Sequence, residues 1–242
     1  MRGAALGPTA IRAALNSSST NWWSESHVNI QERLKDAGDV EIPDINPHEA
    51  IANAIRALDK GAIPIVLGGD HSITIPVLKA MVERHGPVHI LDFDAHGDLY
   101  PEFQGDPNSH ACVFARILEN GHAKSLTQVG VRTLNDVQLS TARTHNVRII
   151  DMRAWVKGDR PKIEGPAYIS IDIDGFDPAY APGVSHREAG GLSPRDVIGV
   201  IQELSVPILG ADIVELNPSM DRDHITAPLA AKLIKELAAK IG

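Results

Sequence analysis

Six short runs rich in isoleucine and valine, at 63–67, 88–93, 127–131, 147–151, 167–173 and 207–214, constrain this chain more than any other feature of it. They show little polar alternation, so each predicts a strand covered on both faces. Between them, apolar residues recur at helical spacing over 47–60, 73–85, 111–120, 136–146, 194–204 and 226–241. Strands alternating with helices predict an α/β fold in three layers, α/β/α, with a mostly parallel sheet in the middle. The 242 residues, 43% of them hydrophobic, suffice for one such core, and the pattern reads as a single domain over 1–242. Segment 17–45 is less regular. It is expected to run over the surface, with Trp22 and Trp23 serving either local packing or an interface.

Open parallel sheets bind ligands beyond the carboxyl ends of their strands. Three acidic, histidine-bearing clusters fall there: Gly68-Gly69-Asp70-His71-Ser72, Asp92-Phe93-Asp94-Ala95-His96-Gly97-Asp98 and Asp172-Ile173-Asp174-Gly175-Phe176-Asp177-Pro178. Gathering carboxylates is unfavourable unless cations neutralise them. One isolated Asp-x-Asp is usually a turn or a cap, whereas three clusters at strand ends point to a metal site. If extended geometry persists, Asp94, His96 and Asp98 share one side, Asp172 and Asp174 repeat the spacing, and His71 arrives after a glycine pair. Four carboxylates and two imidazoles suit hard ions, and two Mn²⁺ per subunit are expected. Four aspartates would balance their charge and leave a bridging water acidified, available as hydroxide near neutral pH. Asp177, before Pro178, is expected to hold a turn rather than a metal.

A net charge of −8 without a basic run argues against a nucleic-acid surface. The longest apolar runs, 62–67 and 208–214, are strand-sized and far short of the ~20 residues that span a bilayer, so no membrane partner is expected. Cys112 stands alone, which fits a reducing compartment and predicts a cytoplasmic location. The first 24 residues carry Arg2, Arg12 and several serines without an acid, a composition shared with transit peptides. Pro8 near a first turn, with Ala10, Ile11, Ala14 and Leu15 at helical spacing, favours instead a helix opening at Gly7.

With these motifs the chain resembles the ureohydrolases, the arginase and agmatinase family, from Gly7 to its last helix. The 68–72 and 94–98 motifs, and Ser170-Ile171-Asp172-Ile173-Asp174 followed by Pro178, Pro182-Gly183 and Gly191, are similar to the three family signatures. Ser109-His110-Ala111-Cys112 and Ala181-Pro182-Gly183-Val184-Ser185-His186 are more similar to plant-type arginases and their bacterial relatives than to animal arginases. The resemblance implies one Mn²⁺ on His71, Asp94, Asp98 and Asp172, and the other on His96, Asp94, Asp172 and Asp174. It also implies that Glu215 pairs with a substrate guanidinium, Asp98 relays the hydroxide proton, and His110 protonates the departing amine. Animal arginases place an Asp for the substrate α-amino group just beyond the segment matching Gly130-Val131-Arg132; here that segment leads to Asn135, the substrate-binding candidate.

The implied reaction is hydrolysis of the guanidino group of agmatine or arginine to urea and an amine, in a homotrimer or homohexamer. Formimidoylglutamase is the alternative enzyme; its carboxylate-bearing substrate calls for cationic residues such as Arg132 or Arg187. A third reading is a non-catalytic, metal-binding subunit of an oligomer. Family members usually begin with a strand and a glycine-containing loop before the Gly-Pro pair, whereas Met1 is seven residues from Pro8, so the expectation is either a sheet edge or an oligomer contact that compensates, or a truncated, weakly active form.

Overall fold

In the computed structural model, which describes residues 3–241, the isoleucine–valine runs become the strands of one parallel sheet. Met1 and Arg2, invoked in the reading of the N-terminus, lie outside the described residues. Helix α1 (Gly7–Leu15) forms where expected, with Pro8 in its first turn. Then come α2 (Pro47–Ala57), β1 (Ile65–Leu67), α3 (Thr74–His85), β2 (Val88–Phe93) and α4 (Val113–Glu119). The middle of the chain supplies β3 (Ala123–Val129), α5 (Asp136–Thr144), β4 (Arg148–Ile150) and α6 (Met152–Val156). It closes with β5 (Ala167–Asp172), α7 (Pro194–Glu203), β6 (Ile208–Val214) and α8 (Thr226–Ile241).

Among the described residues the sheet has six strands in the order β1-β6-β5-β2-β3-β4, every pairing parallel. Side chains alternate between its faces. Leu91, Phe93, Ile169 and Ile171 enter a core shared with α1, α7 and α8, while Val88, Ile90 and Tyr168 enter a second core with α2, α3 and α4. The three-layer expectation is therefore borne out. Every residue of β2 and β5 is buried, which explains why apolar residues on both faces dominate these strands, with His89, Asp92, Ser170 and Asp172 as the polar exceptions. On α8, Leu229, Leu233 and Leu237 repeat every fourth residue and face the first core, each contributing roughly 1.5–3 kcal/mol. No helix among the described residues is long and apolar enough to cross a membrane.

Segment 17–45 carries no named helix or strand, as expected, yet it is anchored. Ile30 is fully buried, Lys235 Nζ donates to Thr20 Oγ1 at 2.8 Å, and the Glu25 N–H donates to Glu236 Oε1 at 2.9 Å. Trp23 remains half exposed.

Four neighbouring strands, β1, β6, β5 and β2, end at one level. Leu67 pairs with Ile213, Ile213 with Ile171, and Ile171 with Phe93. The residues that follow these four positions are the three clusters and Glu215, so parallel register alone delivers them to one edge.

Candidate metal centre

Each cluster leaves its strand through a short turn held by one of its own aspartates. Asp94 Oδ1 accepts the His96 N–H at 2.6 Å, Asp172 Oδ1 accepts the Asp174 N–H at 2.7 Å, and Asp70 Oδ1 accepts the Ser72 N–H at 3.1 Å. The turn and the metal reading are thus compatible, because one carboxylate oxygen fixes the turn and the other is free to point inward. Asp94, His96 and Asp98 do not converge by strand alternation. Asp98 takes a left-handed backbone, φ 48°, and Glu215 does the same at φ 63°. Such strain in non-glycine residues costs of order 1–3 kcal/mol and is characteristic of functional sites.

The six expected ligands do face a common centre. His71 Nδ1 lies 3.2 Å from Asp98 Oδ2 and 3.3 Å from both Asp94 Oδ2 and Asp172 Oδ2. His96 Nδ1 lies 3.2 Å from Asp174 Oδ2 and 3.4 Å from Asp94 Oδ1. Donor atoms therefore gather into two groups, His71–Asp94–Asp98 and Asp94–His96–Asp174, with Asp94 in both and Asp172 beside the first.

The residues fit a divalent metal. His71 Nδ1 and Asp94 Oδ2 are buried and have no hydrogen-bond partner, close as they are to one another. Orphaned buried polar atoms are costly, and a cation between them satisfies both. Electrostatics agree. Burial, together with the charge of Asp94, pushes Asp98 up to about 6, and burial with the Asp174 and Asp94 charges raises Asp172 well above the usual carboxylate range. Burial also opposes charge on His96, but the carboxylates of Asp174 and Asp94 outweigh it and push the imidazole up to about 12. These shifts follow from carboxylates crowded together in a buried site; Asp94 alone goes the other way, where burial is outweighed by the two histidines, which hold its carboxyl below the usual range.

Glu215 is buried; its Oε1 accepts the backbone N–H of His71 at 3.0 Å, and its own N–H donates to Gly69 O at 2.9 Å. Burial raises its carboxyl to about 8, as for an acid awaiting a cationic partner. His110 is half-buried, its pKa lowered by burial, and its ring stacks on His186 with centroids 5.4 Å apart. His186 in turn meets the edge of His96 at 6.1 Å, which joins His110 to the cluster. Asn135 caps α5, its Oδ1 accepting the Gln138 N–H, and its Nδ2 donates to the Tyr100 hydroxyl at 2.7 Å. Asn135 thus bears on the site through Tyr100, which packs on Phe103 and, through it, on His110. Asp177 holds a turn as expected, accepting from the N–H groups of Ala179, Gly190 and Gly191.

Sequence reasoning assigned no role to His186, Ser170 or Asp212. Ser170 and Asp212 carried a signal, a polar residue inside an otherwise apolar strand; His186, on a loop, carried none.

The description "Arginase family" matches residues 1–239. The chain belongs to the arginase family. It is 43% identical to the mitochondrial arginase 1 of Arabidopsis thaliana, over 100% of this chain and 77% of that protein. An agmatinase of Bacillus subtilis is 32% identical over 84% of this chain and 73% of that protein. The solved arginase of Medicago truncatula superposes with a TM-score of 0.93 at 40% identity, covering 100% of this chain and 82% of that one. Arginase-family membership accounts for both the parallel sheet and the Asp/His groups at its edge.

The expectation of a cytoplasmic location is corrected by the same comparison. The similar plant arginases, two from Arabidopsis thaliana and one from Medicago truncatula, are mitochondrial or chloroplastic/mitochondrial by name. A lone cysteine excludes a disulfide framework, but it does not separate the cytosol from any other reducing compartment.

Proposed function

We propose that this arginase-family chain, as one ureohydrolase domain, hydrolyses the guanidino group of arginine or agmatine to urea and an amine, with two Mn²⁺ held per subunit. His71, Asp94, Asp98 and Asp172 would hold one ion, and His96, Asp94, Asp172 and Asp174 the other. The observation that carries the reading is Asp94, whose two oxygens turn to the two histidines and so tie two donor groups together.

When bound, the metal pair would supply an acidified water as the nucleophile. The chain's own residues do the rest. Glu215, held against the His71 backbone, pairs with the guanidinium; a cation there favours its ionised form and draws the carboxyl down from about 8. Asp98, beside His71 in the cluster, accepts the proton of the attacking water, as the family resemblance implies. His110, half-buried, takes up a proton from solvent and passes it to the departing amine. Asn135 steadies Tyr100, which packs on Phe103 and through it on His110.

Higher identity to plant arginases than to the agmatinase supports arginine first. The formimidoylglutamase reading loses support because both candidate cations are engaged. Arg187 donates to the carbonyls of Pro182 and Met220, and Arg132 to those of Gly130, Asp174, Gly175, Phe176 and Glu188. A homotrimer or homohexamer belongs to the same proposal and is read by light scattering.

The test is a panel of arginine, agmatine and formiminoglutamate on Mn²⁺-reconstituted protein, scored for urea and formamide. Urea from arginine or agmatine is expected. Glu215→Ala should keep the metal and lose at least about 100-fold in turnover, since the guanidinium then has no anionic partner. Formamide without urea, or metal binding without turnover, would reject the reading.

A further inference from the structure

Asp212 belongs to no expected site, yet it is fully buried and receives three hydroxyls. Thr74 Oγ1 and Tyr168 Oη donate to its Oδ2, each at 2.8 Å, and Ser170 Oγ donates to its Oδ1 at 2.7 Å. Register builds this arrangement. Ser170 on β5 is the direct partner of Asp212 on β6, and Tyr168 precedes Ser170 by two residues. Thr74 is the first residue of α3, immediately after the His71–Ile73 turn.

A serine hydroxyl has one proton. Ser170 gives it to Asp212, so toward His71 Nε2, 2.9 Å away, the same oxygen offers only lone pairs. Nε2 must then carry the hydrogen. In a neutral imidazole that leaves Nδ1 bare, and Nδ1 is the atom facing Asp94, Asp98 and Asp172.

We propose that Asp212 is a positioning residue which, through Ser170, fixes His71 in the tautomer whose Nδ1 binds a divalent cation. The inference rests on the metallohydrolase reading and adds to it a directional relay: Asp212 accepts, Ser170 passes the polarity on, and His71 presents its lone pair to the metal. Ligand histidines generally need such a partner on the second nitrogen, whose loss costs roughly 10–100-fold in metal affinity. Reversing the relay is worse than deleting it.

Asp212→Asn performs that reversal. Its amide oxygen stays with the two donors Thr74 and Tyr168, and its NH₂ turns to Ser170. Ser170 then accepts there and releases its own proton toward His71 Nε2, which favours Nδ1–H and blocks the ligand atom.

The measurement is Mn²⁺ affinity by equilibrium dialysis with metal analysis, alongside circular dichroism of each metal-free variant. Ser170→Ala, which deletes the partner, should weaken Mn²⁺ binding by about 10-fold, and Asp212→Asn, which reverses it, by about 100-fold or more. The double variant should recover to the Ser170→Ala level, because the asparagine then has nothing to transmit. If Asp212→Asn fails to fold, Ser170→Ala and Ser170→Thr decide, with the threonine hydroxyl restoring affinity. Wild-type affinity in Asp212→Asn or, where that variant does not fold, in Ser170→Ala, or a double variant no tighter than Asp212→Asn, overturns the relay while leaving the enzyme reading intact. A wild-type protein that binds no Mn²⁺ overturns both.

Discussion

Asp94 does three jobs with two oxygens. Its Oδ1 closes the turn to His96 and faces the His96 ring, and its Oδ2 lies unpartnered against His71. Asp94→Asn preserves the shape but replaces one acceptor with an amide, which cannot serve a cation on that side. Metal content should fall from two ions per chain toward zero and urea release should vanish with it; one retained ion and measurable turnover would show that the carboxylate is not shared. Protons compete for the same atoms. Asp98 holds a proton below about 6 and His96 below about 12, and both must be bare to bind metal, so Mn²⁺ affinity should rise with pH throughout. Below pH 6 the loss should steepen, by about tenfold per pH unit for each added competing proton. A titration flat between pH 5 and 8 would contradict that coupling.

At the scale of elements, the site depends on how closely the turn after β5 can approach the end of β2. A Cβ added to Gly175 would lie 2.9 Å from the Asp94 nitrogen and 3.0 Å from the Phe93 carbonyl carbon and oxygen, all backbone atoms that cannot rotate away. Gly175→Ala should cost about 1–3 kcal/mol in thermal unfolding and weaken Mn²⁺ binding by separating Asp94 from Asp174. Gly199, inside α7 with nothing within 4 Å of its would-be Cβ, is the control, and Gly199→Ala should stabilise by up to about 1 kcal/mol. Equal effects from the two would remove the argument. What the sequence made legible follows the same lines. Strand β2 was read to the residue because both its faces are covered and Val88, Ile90, Leu91 and Phe93 place apolar side chains on each. Strand β3 begins at Ala123, earlier than the expected 127, because Lys124 and Ser125 are exposed and carry no apolar signal. Helix α6 was missed; five residues with only Trp155 buried are too few to show a period. The ligand residues were legible from their type and spacing. The left-handed backbones of Asp98 and Glu215 were not, since tertiary contacts impose them.

At the scale of the whole molecule, three separate segments around the site meet on one guanidinium. Arg132, just past β3, donates to the carbonyls of Gly130 at 2.9 Å, Asp174 at 2.9 Å, Gly175 at 3.2 Å, Phe176 at 3.3 Å and Glu188 at 2.7 Å. It therefore joins the β3 end to the turn bearing Asp174 and to the loop bearing His186. That loop is pinned again from the other side, where the Asn217 N–H donates to Gly183 O at 2.7 Å and Asn217 Nδ2 donates to Ser185 Oγ at 3.0 Å. Lysine keeps the charge but not the planar fork, so it cannot reach five carbonyls at once. Arg132→Lys should speed backbone hydrogen exchange across 183–191 by about tenfold and raise KM more than it lowers kcat, because the wall carrying His186 loosens while His71, Asp94 and Asp98 stay in place. The alternative is separable by the same two measurements. If Arg132→Lys leaves exchange at 183–191 unchanged yet abolishes formamide release from formiminoglutamate, the guanidinium meets the substrate and not the fold, and the formimidoylglutamase reading regains its support.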